Sequence, residues 1–202
     1  MPNPRLYGFR YLGPMVGNKP TKPIRYRVAS AYAFPINIGD PVEMIAGGTC
    51  ILSVAGGAGV GLATIGIVTG IAPYWDGVKM AVGNYLPANT TPGAVNFERE
   101  SYVYVIPAAN NLFECCCGDL TNVTRAAYLA LIGQNIPHMY TVVGTLNWPE
   151  LNTAHPPVAT TDQWRIMDLP RTVNVDWAAL YVPLIVSGNE IATPPASPLA
   201  GI

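Results

Sequence analysis

The chain has 202 residues, of which 20 are Gly and 20 are Pro, and its formal net charge at neutral pH is −1. Gly and Pro at this frequency, spread along the whole length, argue against long helices and favour many short strands joined by turns. Charged residues make up only 11% of the chain, against roughly 25% in ordinary soluble domains. We therefore expect other subunits to cover much of the surface.

The first 30 residues are basic and rich in proline. Six cations, and no acidic residue, precede Asp40, and five prolines in the same segment favour an extended chain. The sequence therefore predicts an extended basic N-terminal arm at residues 1–30, a β domain at residues 31–193 and a Pro-rich tail at residues 194–202. Such an arm would pair with an acidic protein surface or with nucleic-acid phosphates, whereas the alternative is a solvated terminus.

Large aromatic side chains in the arm favour docking on a partner, because a solvated tail has little use for them. The predicted partner-contacting residues are Arg5, Tyr7, Phe9, Arg10, Tyr11, Arg25, Tyr26 and Arg27.

The first half of the β domain shows several short strand patterns. Predicted strands are Val28–Phe34, a turn and strand within 38–45, Thr49–Ala55 and Ile65–Ile71. No charge occurs between Met44 and Trp75, which raises the question of a membrane span. Eight glycines interrupt this stretch, and each costs a helix interior about 0.8–1 kcal/mol relative to Ala. We therefore expect no spanning helix.

Gly57–Gly61 has the glycine content of a phosphate-binding loop. Leu62 stands where the dinucleotide fingerprint needs its third glycine, and the lysine of a P-loop is missing. The segment Gly56–Gly61 is therefore predicted to be a surface loop.

The centre of the chain, Ser101–Cys117, is predicted to be a buried hairpin or β-corner. Tyr102–Ile106 is β-branched or aromatic throughout, and both of its faces are apolar, which favours a strand buried on both sides. Pro107–Asn111 has the composition of a turn, and a return strand follows as far as Cys117. Three consecutive cysteines in a strand alternate between faces, so we expect these thiols and Cys50 to be reduced.

The last third contains the only helical pattern, Thr124–Ile132, with Thr124 as its predicted cap and Gly133 as its end. Gln163–Leu169 and Val175–Val186 are predicted to be closing strands.

No residue pattern predicts catalysis or metal binding. His138 and His155 are 17 residues apart without a Cys or carboxylate at metal-ligand spacing, and no Gly-x-Ser-x-Gly elbow occurs. Strand spacing would place Glu98 and Glu100 on one face as a carboxylate pair, but solvated charges at a sheet edge explain this spacing equally well. The N-terminus lacks the apolar core of a signal peptide. The sequence thus predicts no catalytic, cofactor-binding or metal site, and argues against an enzyme.

Several short motifs nevertheless occur in a recognisable order. They are Tyr7–Arg10, Ile38–Val42, Gly66–Gly70, Tyr85–Ala88, Tyr102–Ile106, Asn111–Glu114, Gln163–Ile166, Asn174–Trp177 and Tyr181–Val182. In this order, over about residues 7 to 186, the chain resembles a family of small virion proteins of tailed double-stranded DNA phages. These proteins are typically encoded beside the major capsid protein and act as head cement or decoration proteins. The chain departs from the family pattern in its more basic arm, in Cys115–Cys117 and in its longer tail after Gly188.

The resemblance implies an all-β protein, an antiparallel barrel or sandwich with extended termini that clamp neighbouring capsomers. It further implies a protein made in the bacterial cytoplasm that binds the major capsid protein on the outer virion surface, as a homotrimer. No cofactor, membrane or direct nucleic-acid contact is implied. A tail or neck subunit, a β-barrel nucleic-acid binder and a hydrolase with a titratable pair in a pocket remain alternatives.

Overall fold

We describe a computed structural model of the chain over residues 7–17, 19–29, 32, 34–45, 48–53, 64–75, 79–88, 101–118, 121–143, 146–154, 162–170 and 174–189. These parts contain sixteen strands and one short helix. The predicted all-β class is therefore confirmed.

The strands of the first half are β1 (Arg10–Pro14), β2 (Ile24–Arg27), β3 (Ile36–Asn37), β4 (Pro41–Ile45), β5 (Thr49–Leu52), β6 (Thr64–Ile71), β7 (Tyr74–Trp75), β8 (Met80–Ala81) and β9 (Tyr85–Leu86). The second half contains β10 (Tyr102–Pro107), β11 (Asn111–Cys117), α1 (Arg125–Ala130), β12 (Asn135–Ile136), β13 (His138–Val143), β14 (Leu146–Leu151), β15 (Trp164–Asp168) and β16 (Val182–Gly188).

Five strands pair antiparallel in the order β2-β10-β6-β4-β5. They close into a small barrel where Val28, just after β2, makes an isolated parallel bridge to Cys50 of β5, and the Ala29 N–H donates to the Cys50 carbonyl (3.0 Å). The interior holds Val28, Val42, Cys50, Val68, Val103 and Val105, and Ile36, Tyr74 and Leu86 belong to the same core. β-branched side chains at alternate positions suit such an interior, because successive residues of a strand face opposite sides.

The second sheet is a nearly closed, larger barrel in the order β12-β15-β16-β11-β14-β13, with β1 added to β11. β12 and β13 are separated only by Pro137, so one segment pairs with β15 at its start and with β14 further on. A proline fits this change of partner because it has no N–H to donate to a ladder. Trp164, Phe113, Leu184 and Ile166 are fully buried in its core.

β10 and β11 do not pair with each other, because β10 lies in the small barrel and β11 in the large one. The predicted hairpin is therefore wrong, and the β-corner is correct. Ala108 is buried in this corner, where its N–H donates to Ile65 and its carbonyl accepts from Gly188. These two remote contacts fix the backbone between the sheets and keep the strands apart.

The expectation that β10 is buried on both faces is also wrong. Val103 and Val105 are fully buried, but Tyr104 is 38% exposed. The side chains of β10 alternate, and the outer face of the small barrel is open to solvent at this point.

Residues 7–29 are not an arm outside the β domain, and that prediction is wrong for the described residues. β1 pairs with β11 in the large barrel, and β2 pairs with β10 in the small one. The segment therefore runs along both barrels and completes both sheets. Residues 1–6 and the predicted tail at 194–202 lie outside the described residues.

Local signals located the helix well. Thr124 caps α1, and its hydroxyl accepts from the Ala127 N–H (3.2 Å).

In the described residues no helix has the length and apolarity that crossing a membrane requires. The described residues of the predicted strand Val28–Phe34 belong to no strand, because β2 ends at Arg27 and Val28 makes only an isolated bridge to Cys50. The strand predicted from Val175 begins only at Val182. The loop at Gly56–Gly61 lies outside the described residues.

Candidate interaction surfaces

Three aromatic residues predicted to contact a partner instead anchor the N-terminal segment to the large barrel. Phe9 is 3% exposed and stacks on Trp164, with ring centroids 4.3 Å apart. Tyr7 makes an edge contact with Trp148 (4.8 Å), and Tyr11 packs on Phe113 (5.8 Å). Tyr11 lies in β1, whereas Tyr7 and Phe9 precede it, separated by Gly8 with a positive φ of 59°. For the buried Phe9 the assignment to a partner interface is therefore wrong, whereas for the half-buried Tyr7 and Tyr11 it stays a prediction.

The predicted cations differ in their surroundings. Arg10 forms an ion pair with Glu114, its direct cross-strand neighbour on β11, so this charge is matched within the chain. Arg5 lies outside the described residues. Arg25 and Arg27 are exposed on β2, whereas Tyr26 between them is half-buried against the small-barrel core.

Arg25, Arg27, Tyr102 and Tyr104 share one outer face of the small barrel, which we name the basic face. The antiparallel register places Tyr102 opposite Arg27 and Tyr104 opposite Arg25. Because opposed residues project to the same side, the four side chains lie together on one face of the sheet. The Arg25 guanidinium also lies over the Tyr102 ring, 3.7 Å from its centroid.

Among the described residues of the basic face, the charged side chains are those of Arg25 and Arg27. Gly70 of β6 lies opposite Tyr104, and the position of a Cβ at this glycine is 3.4 Å from the Tyr104 ring. No acidic residue occurs among residues 7–29, and Lys19 and Lys22 are exposed just before β2. A guanidinium stacked on an aromatic ring is held in one plane and still offers N–H donors to carboxylates or phosphates.

Several exposed apolar side chains were missed by the sequence analysis. They are Phe34, Ile38, Met80, Val82 and Tyr85. β3 pairs with β9, and the Ile38 N–H donates to the Asn84 carbonyl (3.1 Å). Phe34, Ile36 and Ile38 alternate with other residues and are all apolar, so the sequence did not indicate that only Ile36 is buried.

A buried polar cluster, the polar junction, joins the two barrels. The Ser53 carbonyl accepts from the Tyr140 hydroxyl (2.8 Å) and lies 3.5 Å from His138 Nε2. The Ser53 hydroxyl contacts Glu43 (3.4 Å) and Thr64 (2.9 Å). Strands from both sheets thus share a set of hydrogen bonds that water does not reach, which favours a fixed arrangement.

Two titratable groups near this junction are perturbed by burial. Desolvation lowers the pKa of His138 to about 4, and the Trp164 indole N–H donates to His138 Nδ1 (3.4 Å). Nδ1 is therefore an acceptor, and the neutral ring carries its proton on Nε2, towards Ser53. Burial raises the pKa of Asp40 to about 7, although hydrogen bonds from Asn37 and Tyr7 oppose the shift.

These groups satisfy one another inside the protein. Over the described ranges, no group of three or more His, Cys, Asp or Glu side chains is placed to hold a metal ion. The four cysteines are buried free thiols, as the sequence predicted.

Comparison with known proteins adds no further identification. No family model matches the chain, and neither the curated proteins nor the solved structures include a match.

Proposed function

We propose that the protein is a structural virion protein that decorates the outer surface of a tailed-phage capsid as a homotrimer and stabilises contacts between capsomers. The observation that carries the proposal is the basic face, where Arg25, Arg27, Tyr102 and Tyr104 lie together on the outside of the small barrel. The sequence resemblance supplies the class of partner, the major capsid protein.

The basic face suits a rigid contact with an acidic protein surface. Arg and Tyr are among the residues that contribute most to interface energies, and cations also steer and orient a partner. Val103 and Val105 fix the strand from behind. The contact therefore avoids the ordering cost of a free arm, on the order of 1 kcal/mol per residue.

The test is to add purified protein to undecorated heads. We expect the double variant Arg25→Ala/Arg27→Ala, and Tyr104→Ala separately, to lower occupancy at least about tenfold, as loss of interface hot spots does. Arg125→Ala is the matched control, because Arg125 is an exposed cation on α1 of the other barrel. Unchanged occupancy of both basic-face variants would refute the assigned contact.

Electron microscopy of the decorated particles separates two structural roles. Density at capsomer junctions of the shell supports a cement protein. A ring at the tail or neck would instead assign the chain to that alternative, which the sequence left open.

A single-stranded nucleic-acid binder is the second candidate, because arginines and exposed aromatic rings on a barrel face also suit base stacking and phosphate contact. Binding to a labelled oligonucleotide at several salt concentrations tests it. Affinity that falls steeply with salt and is lost in Arg25→Ala/Arg27→Ala would favour this candidate over the capsid.

A further inference from the structure

β2 is an end strand of the small-barrel sheet. Among the described residues, β2 pairs with β10 alone, and the barrel closes only beyond the end of β2, where Val28 bridges Cys50. Ile24 is 44% exposed, and the side chains of Arg25 and Arg27 are exposed as well. The long side of β2 that faces away from β10 is therefore a sheet edge.

The hydrogen-bond register shows which backbone groups of β2 face this edge. The Val28 N–H donates to the Ser101 carbonyl (2.9 Å), so these two residues form a hydrogen-bonded pair. In an antiparallel ladder, such pairs alternate with pairs that are not hydrogen-bonded to each other. Arg25, which lies opposite Tyr104, belongs to the second kind. The N–H and the carbonyl of Arg25 therefore point away from β10, towards the edge.

We infer that β2 binds an extended acidic segment of the partner protein by strand addition, with Asp or Glu at alternate positions of that segment facing Arg25 and Arg27. The inference rests on the proposed function and adds to it the way in which the basic face recognises its partner. In strand addition, main-chain hydrogen bonds supply affinity and alternate side chains supply specificity.

Strand geometry determines the spacing of the carboxylates. Residues of an added strand that lie opposite Arg25 and Arg27 are two positions apart and project to the same outer face as the arginines. A guanidinium donates two parallel hydrogen bonds to a carboxylate. The Arg25 guanidinium already lies over the Tyr102 ring, so its side chain loses less conformational freedom when the segment binds.

The charge at this edge favours an acidic segment over a second copy of β2. Pairing between two copies of β2 would bring their arginines together, and like charges on paired strands are destabilising. Lys19 and Lys22 are exposed and extend the positive charge on the N-terminal side of β2, and no acidic residue occurs in 7–29. An extended acidic segment fits both the sheet edge and its charge.

The probe is a labelled peptide of about ten residues in which Glu alternates with Thr, and its binding to the full chain is measured by fluorescence anisotropy. We expect it to bind at least about tenfold more tightly than a peptide of the same composition whose glutamates are consecutive. Successive amides of a strand point to opposite edges, so N-methylation of one alternate set should weaken binding roughly tenfold. N-methylation of the other set should have little effect, which makes it the matched control.

Two variants at one position of the chain separate the charge from the backbone. Arg25→Ala and Arg25→Pro both lose the cation, but proline also lacks the N–H that faces the edge. Proline is tolerated on an edge strand when its missing N–H lies on the open side, so both variants should fold, as circular dichroism will show. Arg25→Pro should bind the peptide severalfold more weakly than Arg25→Ala. Arg125→Ala, on α1, should bind like the wild type.

The inference is overturned if the alternating peptide does not bind, if it binds no more tightly than the consecutive peptide, or if both N-methylated sets bind equally. The peptides decide this even if Arg25→Pro does not fold. The proposed function survives that result if Arg25→Ala/Arg27→Ala still lowers occupancy on heads. Conversely, peptide binding by a chain that does not bind heads supports strand addition and refutes the capsid partner. Self-association of the wild type that Glu98→Gln/Glu100→Gln abolishes would assign the β2 edge to a second copy instead.

Discussion

Phe9 tests whether the N-terminal segment belongs to the core of the protein or to a partner. Its ring is buried to 3% exposure and stacks on Trp164. Burial of a large aromatic side chain removes about 150–250 Å² from water, and Phe→Ala in a core costs roughly 3–5 kcal/mol. We therefore expect Phe9→Ala to lower the free energy of unfolding by this amount. For a chain of this size the melting temperature should fall by roughly 10 °C.

Phe34→Ala is the control for that experiment, because it makes the same chemical change at a ring that is 54% exposed. A surface substitution of this kind changes stability by about 0.5 kcal/mol or less. Urea unfolding of the isolated protein, followed by tryptophan fluorescence, reports both variants. If Phe9→Ala is as stable as Phe34→Ala, then Phe9 does not contribute to the core as described, and the arm interpretation would regain support.

Four further predictions concern the core. Gly66→Ala should destabilise by roughly 1–3 kcal/mol in urea unfolding, because its Cβ position is 2.1 Å from the Ile106 carbonyl oxygen, whereas Gly70→Ala on the same strand should be tolerated. His138, with a pKa of about 4, stays neutral in the folded protein at pH values where the unfolded chain takes up a proton. The free energy of unfolding should therefore be highest above pH 6.5 and fall by about 3 kcal/mol towards pH 4. His138→Gln should flatten this part of the stability–pH curve. Asp40, with its pKa raised to about 7, acts in the opposite sense, because its carboxyl keeps a proton in the folded protein that the unfolded chain releases. The free energy of unfolding should therefore fall as pH rises from about 4 to 7. Asp40→Asn should remove that fall. The four buried thiols should resist alkylation in the folded protein and all react after unfolding without reductant, and fewer than four labelled thiols would contradict the prediction.

The features that the sequence predicted correctly depend on neighbouring residues. Thr124 can be recognised as a helix cap because the N–H that it accepts from, that of Ala127, is only three residues away. The strand at Thr64–Ile71 follows from a local run of β-branched residues. The turn after Pro107 was also predicted from its composition, and Asn110 there adopts a positive φ of 60°.

The errors concern contacts between remote parts of the chain. A turn at 107–111 is compatible with a hairpin or with a corner, and the choice depends on Ile65 and Gly188, which hold Ala108 between the sheets. Aromatic residues at alternate positions predict an extended segment with one apolar face. They do not determine whether that face contacts a partner or the chain's own Trp164. Composition thus predicted a docking segment and did not identify its docking site.

The basic face follows from the same alternation that builds the small barrel. On β10, Val103 and Val105 face inward, and for this reason Tyr102 and Tyr104 face outward beside Arg25 and Arg27. The basic face is therefore one residue out of phase with a buried strand face, so its residues can be substituted without opening the core. Deleting residues 2–27, as a test of a free arm would require, would remove β1 and β2 and with them one strand of each barrel. Single substitutions on these outward positions are consequently the perturbations that separate a loss of contact from a loss of fold.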